Sequence, residues 1–187
     1  MHKLYTQHLL ECGEQRMKLY DHRAKAKRAP HMYAFIMVDG MTKRSTALPR
    51  HAKAKAKCWE SKEEDAFPGH ENALMGSHIQ NVGWFCDFHS ENIADNANFL
   101  VDTIHRNITR LQQYNVSRGL PQPAVLYLQL DNVSTNKGTL VFKYLAWLVA
   151  SGVFAKIKVG YLVVGHTHEY IDQFFSRWVL LCMYRYQ

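Results

Sequence analysis

Two short apolar runs, each followed at once by an aspartate, constrain the fold most. They are Tyr33–Val38 before Asp39 and Ala124–Leu130 before Asp131. Continuous apolar runs of this length, rich in β-branched and aromatic residues, are typical of strands buried on both faces of a sheet. If the two strands are parallel neighbours, their carboxyl ends meet at one edge of the sheet. The two aspartates would then project close together from that edge.

Apolar periodicity predicts the remaining elements. In chain order they are a helix at 4–27, a strand at 77–88, a helix at 92–114, a helix at 139–151, a strand at 156–164 and a final helix from 167. The first helix has a weak apolar stripe formed by Leu9, Leu10, Met17 and Tyr20. Ser90 or Asn92 is expected to cap the second helix at its N-terminus, and Gly152 to follow the third at its C-terminus.

A further strand could lie within 41–75, so the order is an antiparallel hairpin region followed by alternating strands and helices. It predicts an α/β fold, with a mixed sheet and helices on both of its faces. It is the order of the ribonuclease H-like fold, in which the first strand lies beside the strand that follows the first helix of the core. We assign residues 1–30 to a basic, helical lead-in and residues 31–187 to the core. A long charged insertion at about 41–75 interrupts the core, and a loop of that length is usually functional or disordered.

Composition excludes several classes of protein. With 47% hydrophobic residues the chain is not disordered throughout. Its longest apolar runs are about eight residues, too short to span a bilayer, and its start has no signal-peptide core. The cysteines are far apart, which argues against a disulfide framework or a zinc site: Cys12, Cys58, Cys86 and Cys182. These features predict a nuclear or cytoplasmic protein that is not secreted and has no membrane partner.

Positive charge is concentrated in the first third of the chain. The net charge is +7, and residues 16–57 hold 12 Lys and Arg against two acids. Such a block favours a polyanion, either nucleic acid or an anionic membrane surface, although a solvated lysine-rich face would look the same. We take DNA as the partner and expect six residues of the insertion to contact it: Lys43, Arg44, Arg50, Lys53, Lys55 and Lys57.

The two strand-end acids predict a metal site. Paired carboxylates on a rigid sheet form the hard-oxygen environment that Mg²⁺ or Mn²⁺ prefers. Two such ions activate a water or hydroxyl and stabilise the leaving oxygen in phosphodiester chemistry. A third acid is needed, and the final helix offers Glu169 and Asp172. Asp-Gly and Asp-Asn are also common turn pairs, so each strand-end acid alone has a purely structural explanation.

The densest polar cluster lies at 165–172, where a strand is predicted to pass into the final helix. Free backbone N–H groups at such a junction suit phosphate binding. His166 and His168 could contact a scissile phosphate or assist proton transfer. An HxH pair can also bind zinc, but no Cys or further His lies nearby in sequence.

The segment after Asp131 is also rich in polar side chains. Asn132 and Asn136 could orient ligands or cap the helix that begins near Thr139. Lys137 could contact a phosphate, or it could be an ordinary solvated loop lysine.

Three boxes in the sequence, VDGMTKRSTALP, LDNVSTNK and VGHTHEYIDQFFS, carry a resemblance to a known family. They resemble a large family of transposon-derived eukaryotic proteins, catalogued as domain of unknown function 7869. The resemblance runs from about Arg16 to Trp178. It implies a ribonuclease H-like, DDE/D-type transposase core in which Asp39, Asp131 and Asp172 are the first, second and third acids. A similar GHT box in other transposases ends on the metal-ligating aspartate, which favours Asp172 over Glu169.

The function implied is metal-dependent cleavage and transfer of DNA strands. The chain would be the catalytic core of a transposase or a remnant of one, and a homo-oligomer is compatible with an intact element. One alternative is a non-catalytic nucleic-acid-binding protein derived from a transposase. The other is a different nuclease of the same fold, an exonuclease or an RNase H. Such enzymes usually have a D-x-E pair at the first acid, whereas Asp39 is followed by Gly-Met.

Overall fold

The computed structural model describes residues 2–41, 73–89 and 96–161, together with Gln173. In chain order the elements are α1 (His2–Arg28), β1 (Tyr33–Met41), β2 (Ala73–Ile79), β3 (Gly83–His89), α2 (Ala97–Ser117), β4 (Val125–Leu130), a 3₁₀ helix (Ser134–Lys137), α3 (Thr139–Ala150) and β5 (Lys156–Tyr161). The predicted final helix, apart from Gln173, and most of the predicted insertion lie outside these residues.

The strands form one five-stranded mixed sheet in the spatial order β3-β2-β1-β4-β5. β1 pairs antiparallel with β2, and β2 antiparallel with β3. β1 pairs parallel with β4, and β4 parallel with β5. The crossovers that parallel pairing requires run through α2 and α3. The predicted α/β class is confirmed, and the strand order is that of the ribonuclease H-like fold.

Helices cover both faces of the sheet, as predicted. Ile36 and Leu128 belong to the larger core cluster, where they pack with Ile104 of α2 and Leu145 of α3. The alternate residues of the strands point the other way, since successive side chains on a strand face opposite sides. On that second face a smaller cluster joins the sheet to α1: Leu19, Ala26, Phe35, Met37 and Tyr127.

The side of α1 that faces the sheet differs from the prediction. Its buried apolar residues are Cys12, Leu19 and Ala26, which follow one another at seven-residue intervals. The four residues of the predicted stripe are exposed instead: Leu9, Leu10, Met17 and Tyr20. Two of the three buried side chains are small, which lets the helix lie close to the sheet. A helix with so little amphipathicity does not reveal its buried face by counting large apolar residues.

The Asp39-Gly40 pair was predicted to end the first strand, and this is wrong. Both residues lie inside β1, where Asp39 pairs with Gly76 and Gly40 with Met75 of β2. The preference of Asp-Gly for turns is a local effect. Here the backbone pairing with β2 outweighs it.

The single strand predicted at 77–88 is also wrong, because the chain folds back as a hairpin. β2 and β3 are joined at 80–82, where Val82 N donates to Ile79 O at 3.0 Å. Asn81 has a φ of 70°, a conformation that asparagine tolerates better than most residues. Its Nδ2 also donates to the carbonyl oxygen of Ala26, 3.0 Å away, which ties the hairpin to α1.

The predictions for the helix ends have mixed outcomes. α2 begins later than predicted, and its N-cap is Asn96 rather than Ser90 or Asn92. The Asn96 side chain accepts a hydrogen bond from Asn98 N at 2.9 Å. Gly152 follows α3 with a φ of 75°, which confirms the predicted glycine at that end.

A buried ion pair connects β3 to α2. Asp87 is 3% exposed. It accepts hydrogen bonds of 2.6 and 2.7 Å from the guanidinium of Arg110. Arg110 also donates to Asn107 Oδ1, which accepts a second hydrogen bond from Ser77 of β2. This cluster therefore links two strands of the hairpin region to one helix.

Burial of His78 predicts a loss of stability in acid. The ring is 7% exposed and lies 4.3 Å from the Trp84 ring. Burial, with a smaller contribution from the Arg23 charge, lowers the pKa of His78 to about 4 from the ordinary 6.5. As the pH falls, His78 therefore becomes protonated in the unfolded chain before it does so in the folded protein. The neutral His78 ring costs the folded protein no stability above about pH 6.5. The free energy of unfolding should fall by about 2–3 kcal/mol as the pH drops from there toward 4.

Urea unfolding at neutral pH and at about pH 4.5 measures this loss. The variant His78→Phe should lose less stability between the two conditions than the wild type, whereas the exposed-site control His31→Gln should match the wild type. Equal losses in the wild type and His78→Phe would contradict the assignment.

Candidate metal site at the carboxyl edge of the sheet

The structure places Asp39 and Asp131 side by side on adjacent strands. The parallel pairing of β1 with β4 ends at Val38 and Leu130, and each aspartate is the next residue. In-register positions on neighbouring strands are about 4.8 Å apart. Both aspartates are half-buried. Two of the three predicted acids therefore meet at one edge of the sheet.

Asp131 is held by the residues that follow it. Its Oδ1 accepts a hydrogen bond of 2.6 Å from Asn132 N. Its main-chain carbonyl accepts one of 2.9 Å from Nδ2 of Asn136, which is 9% exposed. Neither asparagine caps α3 with its side chain. The N-cap is Gly138, which has no side-chain cap, so this part of the prediction is wrong. Both contacts instead fix the backbone and carboxylate of Asp131.

Tyr161, at the end of β5, extends this support and was missed in the sequence. Its hydroxyl donates to Asn136 O at 3.1 Å. Burial raises the pKa of this hydroxyl. The ammonium of the exposed Lys137 lies 5.3 Å from the Tyr161 ring centroid. Lys137 thus lies close to the supports of Asp131, and its predicted phosphate contact stays a prediction.

Gln129 and Gly160 form a second support that the sequence did not reveal. Gln129 precedes Asp131 by two residues, is 6% exposed and donates from Nε2 to Leu130 O at 3.2 Å. Gly160 is its partner on β5. A Cβ added at Gly160 would lie 2.5 Å from Gln129 Oε1. The missing side chain is therefore what leaves room for the glutamine beside the acid.

Substitution of Gly160 tests that close approach. Gly160→Ala should destabilise the protein by about 1–3 kcal/mol, because the buried Gln129 side chain must move. Gly13→Ala is the matched control, since nothing lies within 4 Å of an added Cβ there. In the middle of α1 it should stabilise by up to about 1 kcal/mol. Urea unfolding measures both, and a neutral or stabilising Gly160→Ala would contradict the packing described.

The donors at this edge fit a hard divalent cation. Asp39 and Asp131 each follow the last paired position of two adjacent strands. Asn132 Oδ1 is buried without a hydrogen-bond partner in the described part of the chain. A buried oxygen without a hydrogen-bond partner lowers the stability of the fold unless water or a cation binds to it. Mg²⁺ binds carboxylate oxygens and waters in octahedral geometry. Within residues 2–41, 73–89 and 96–161, no three His, Cys, Asp or Glu side chains form a ligand cluster.

The other predicted site residues lie outside the described residues and stay predictions. In the third box they are His166, His168, Glu169 and Asp172. In the insertion they are Lys43, Arg44, Arg50, Lys53, Lys55 and Lys57. Of the helices that the structure describes, none combines the length and the apolar character needed to cross a bilayer.

Comparisons with known proteins place the chain in a family and show a similarity to a solved structure. No curated protein matches the sequence significantly. The chain is similar to one in the crystal structure of the Mos1 Strand Transfer Complex, with 12% identity and a TM-score of 0.38. The similarity covers 94% of this chain and 56% of that one, so this chain spans a little over half the length of its neighbour. Residues 73–180, more than half of the sequence, match the family described as Domain of unknown function (DUF7869), and the chain belongs to that family.

Proposed function

We propose that this chain is a DDE/D transposase-like catalytic core that cleaves and joins DNA strands with a divalent metal. The observation that carries the proposal is the position of Asp39 and Asp131, next to each other at the carboxyl edge of two adjacent parallel strands. The ribonuclease H-like strand order supports it. So do the LDN and GHT boxes, both of which lie within the residues that match the family.

Asp39, Asp131 and Asp172 would hold Mg²⁺ or Mn²⁺. Asp172 is proposed over Glu169 because the third box places its final aspartate there. When bound, such ions make water or a 3′ hydroxyl a stronger nucleophile and neutralise charge on the leaving oxygen.

The chain's own residues orient the carboxylates. Asn132 N–H fixes one oxygen of Asp131, and Asn136 fixes its carbonyl. The sheet holds Asp39 in register with β2. Ligands supported in this way keep their geometry when substrate binds.

DNA is proposed as the substrate because the chain has a net charge of +7 and its basic block lies on either side of the first acid. Affinity for DNA is supplied largely by phosphate contacts from Lys and Arg. The alternative of an exonuclease or RNase H is disfavoured by Met41, which stands where those enzymes usually carry a second acid. A non-catalytic DNA-binding protein derived from a transposase would have the same fold and the same basic block but would not cleave DNA.

Nicking of supercoiled plasmid DNA tests the proposal. The wild type should convert the plasmid to open circles with Mg²⁺ or Mn²⁺ and not with EDTA, and Asp39→Asn should abolish the conversion. Metal-dependent binding of DNA without nicking would support the non-catalytic alternative. Cleavage of an RNA–DNA hybrid but not of duplex DNA would support an RNase H and contradict the proposal.

A further inference from the structure

Strand β5, the outermost strand of the sheet that the structure describes, carries two lysines. Lys156 and Lys158 are both exposed. They pair with Val125 and Tyr127 of β4, so they lie on the face of the sheet that α1 covers. These two lysines are not part of the basic block at 16–57, and no motif in the sequence singles them out.

Helix α1 adds a histidine and two lysines along the same side. The His22 ring stacks on the Tyr127 ring with centroids 3.9 Å apart. The Lys158 ammonium lies 5.7 Å from that Tyr127 ring. Burial lowers the pKa of His22, and the charge of Lys158 lowers it further, which fits their proximity. Lys18 and Lys25 precede and follow His22 by four and three residues, on the same helix face.

We name these five residues the α1–β5 ridge: Lys18, His22, Lys25, Lys156 and Lys158. Asp21 neutralises part of it, since it pairs with Lys25 at 2.6 Å. The four lysines still leave the ridge positive overall. Lys156 lies at the end of the ridge that is farthest from the carboxylate edge. It pairs with Val125 of β4, which precedes Asp131 by six residues. That separation is roughly 20 Å along the strand. Duplex DNA rises about 3.4 Å per base pair, so the ridge could follow about six base pairs.

We propose that the α1–β5 ridge binds the phosphodiester backbone of a DNA duplex whose reacting phosphate lies at the carboxylate edge. This inference rests on the proposed function and identifies the path of its substrate. Lysines on an edge strand have a second known use, which is to prevent pairing with another chain. The two uses predict different results when the lysines are removed.

DNA binding without metal tests the ridge separately from catalysis. The assay is fluorescence anisotropy of a labelled duplex of about 20 base pairs in EDTA, over about 50–300 mM NaCl. The wild type should bind with an affinity that falls steeply with salt. The double variant Lys156→Gln/Lys158→Gln should bind at least about tenfold more weakly at low salt and flatten the slope of log K against log salt by about 1.8.

The double variant Arg106→Gln/Lys143→Gln is the matched control, because it removes two exposed charges on the other face of the sheet. It should retain the wild-type slope. An unchanged slope in Lys156→Gln/Lys158→Gln would overturn the ridge, and self-association of that variant in sedimentation would then assign the lysines to edge protection. Equal losses of DNA affinity in both double variants would also overturn the ridge, because they would show a general effect of positive charge.

The outcomes separate this inference from the proposed function. If the wild type nicks DNA while the slope of Lys156→Gln/Lys158→Gln is unchanged, the ridge is wrong and the proposed function stands. If the ridge variant shows the expected slope while the wild type never nicks DNA, the ridge stands and catalysis fails. A wild type that does not bind DNA under any of these conditions would overturn both.

Discussion

Replacement of Asp131 by asparagine should reduce metal-dependent DNA cleavage by about a thousandfold or more. A bound divalent ion contributes several kcal/mol of charge stabilisation to phosphodiester cleavage, and each 1.4 kcal/mol is about tenfold in rate. Asn132 N–H donates to Oδ1 of the acid, and the amide oxygen of the variant can accept the same hydrogen bond. The fold should therefore be kept, and single-turnover cleavage measures the loss.

Asp102→Asn is the control for removing one acid. Asp102 lies on α2 and pairs with Arg106 at 2.8 Å, with about half of each side chain exposed. This variant should cleave DNA at the wild-type rate. If Asp131→Asn retained more than about a tenth of the wild-type rate, Asp131 would not be a metal ligand in this protein.

Breaking the Asp87–Arg110 pair should strongly destabilise the fold. Arg110→Met leaves the 3%-exposed Asp87 carboxylate without its cation. Breaking a buried pair typically costs 3–5 kcal/mol, and we expect about 3 kcal/mol because the Arg110 side chain is 27% exposed. The midpoint of urea unfolding measures this loss.

Arg106→Met, one turn earlier on α2, is the matched control. It removes an exposed ion pair and should cost less than about 1 kcal/mol. Combining Asp87→Leu with Arg110→Met removes both charges and should recover part of the stability. Equal destabilisation by Arg106→Met and Arg110→Met would contradict a special role for the buried pair.

Local patterns in the sequence predicted the centre of the fold well. The runs that became β1 and β4 are short and continuously apolar, which is how strands covered on both faces look. The helix now defined as α2 has apolar residues at three- and four-residue spacing, and its buried residues include Leu100, Ile104, Ile108 and Leu111. With the strand order, these elements were enough to place Asp39 beside Asp131.

Features set by distant contacts could not be predicted in this way. Asp39-Gly40 resembles a turn until Gly76 and Met75 are known to pair with it. The hairpin at Asn81 is local and was missed for a different reason: its connection at 80–82 contains no glycine, so it lacks the strongest turn signal. Asp87 and Arg110 are 23 residues apart, and nothing in the local sequence of either shows that they meet.

The candidate site also combines residues that local sequence patterns predicted with residues that only distant contacts bring together. Asp131 was found from its strand, but its supports Gln129, Gly160 and Tyr161 lie on buried or neighbouring strands, and only pairing brings them together. Asn136 was named for capping or orienting ligands, and the structure shows a bond to the Asp131 carbonyl instead of a cap. Asp172 comes from its box, outside the described residues.

Mn²⁺ binding to the wild type, Asp39→Asn, Asp131→Asn and the double variant, measured by electron paramagnetic resonance without DNA, tests the central claim most directly. If Asp39 and Asp131 share an ion, each single variant should bind Mn²⁺ at least about tenfold more weakly. The double variant should then be little worse than the weaker single variant, because residues that act on one ligand site are not additive. Wild-type affinity in both single variants, or losses that simply add in the double variant, would contradict a shared metal at this edge.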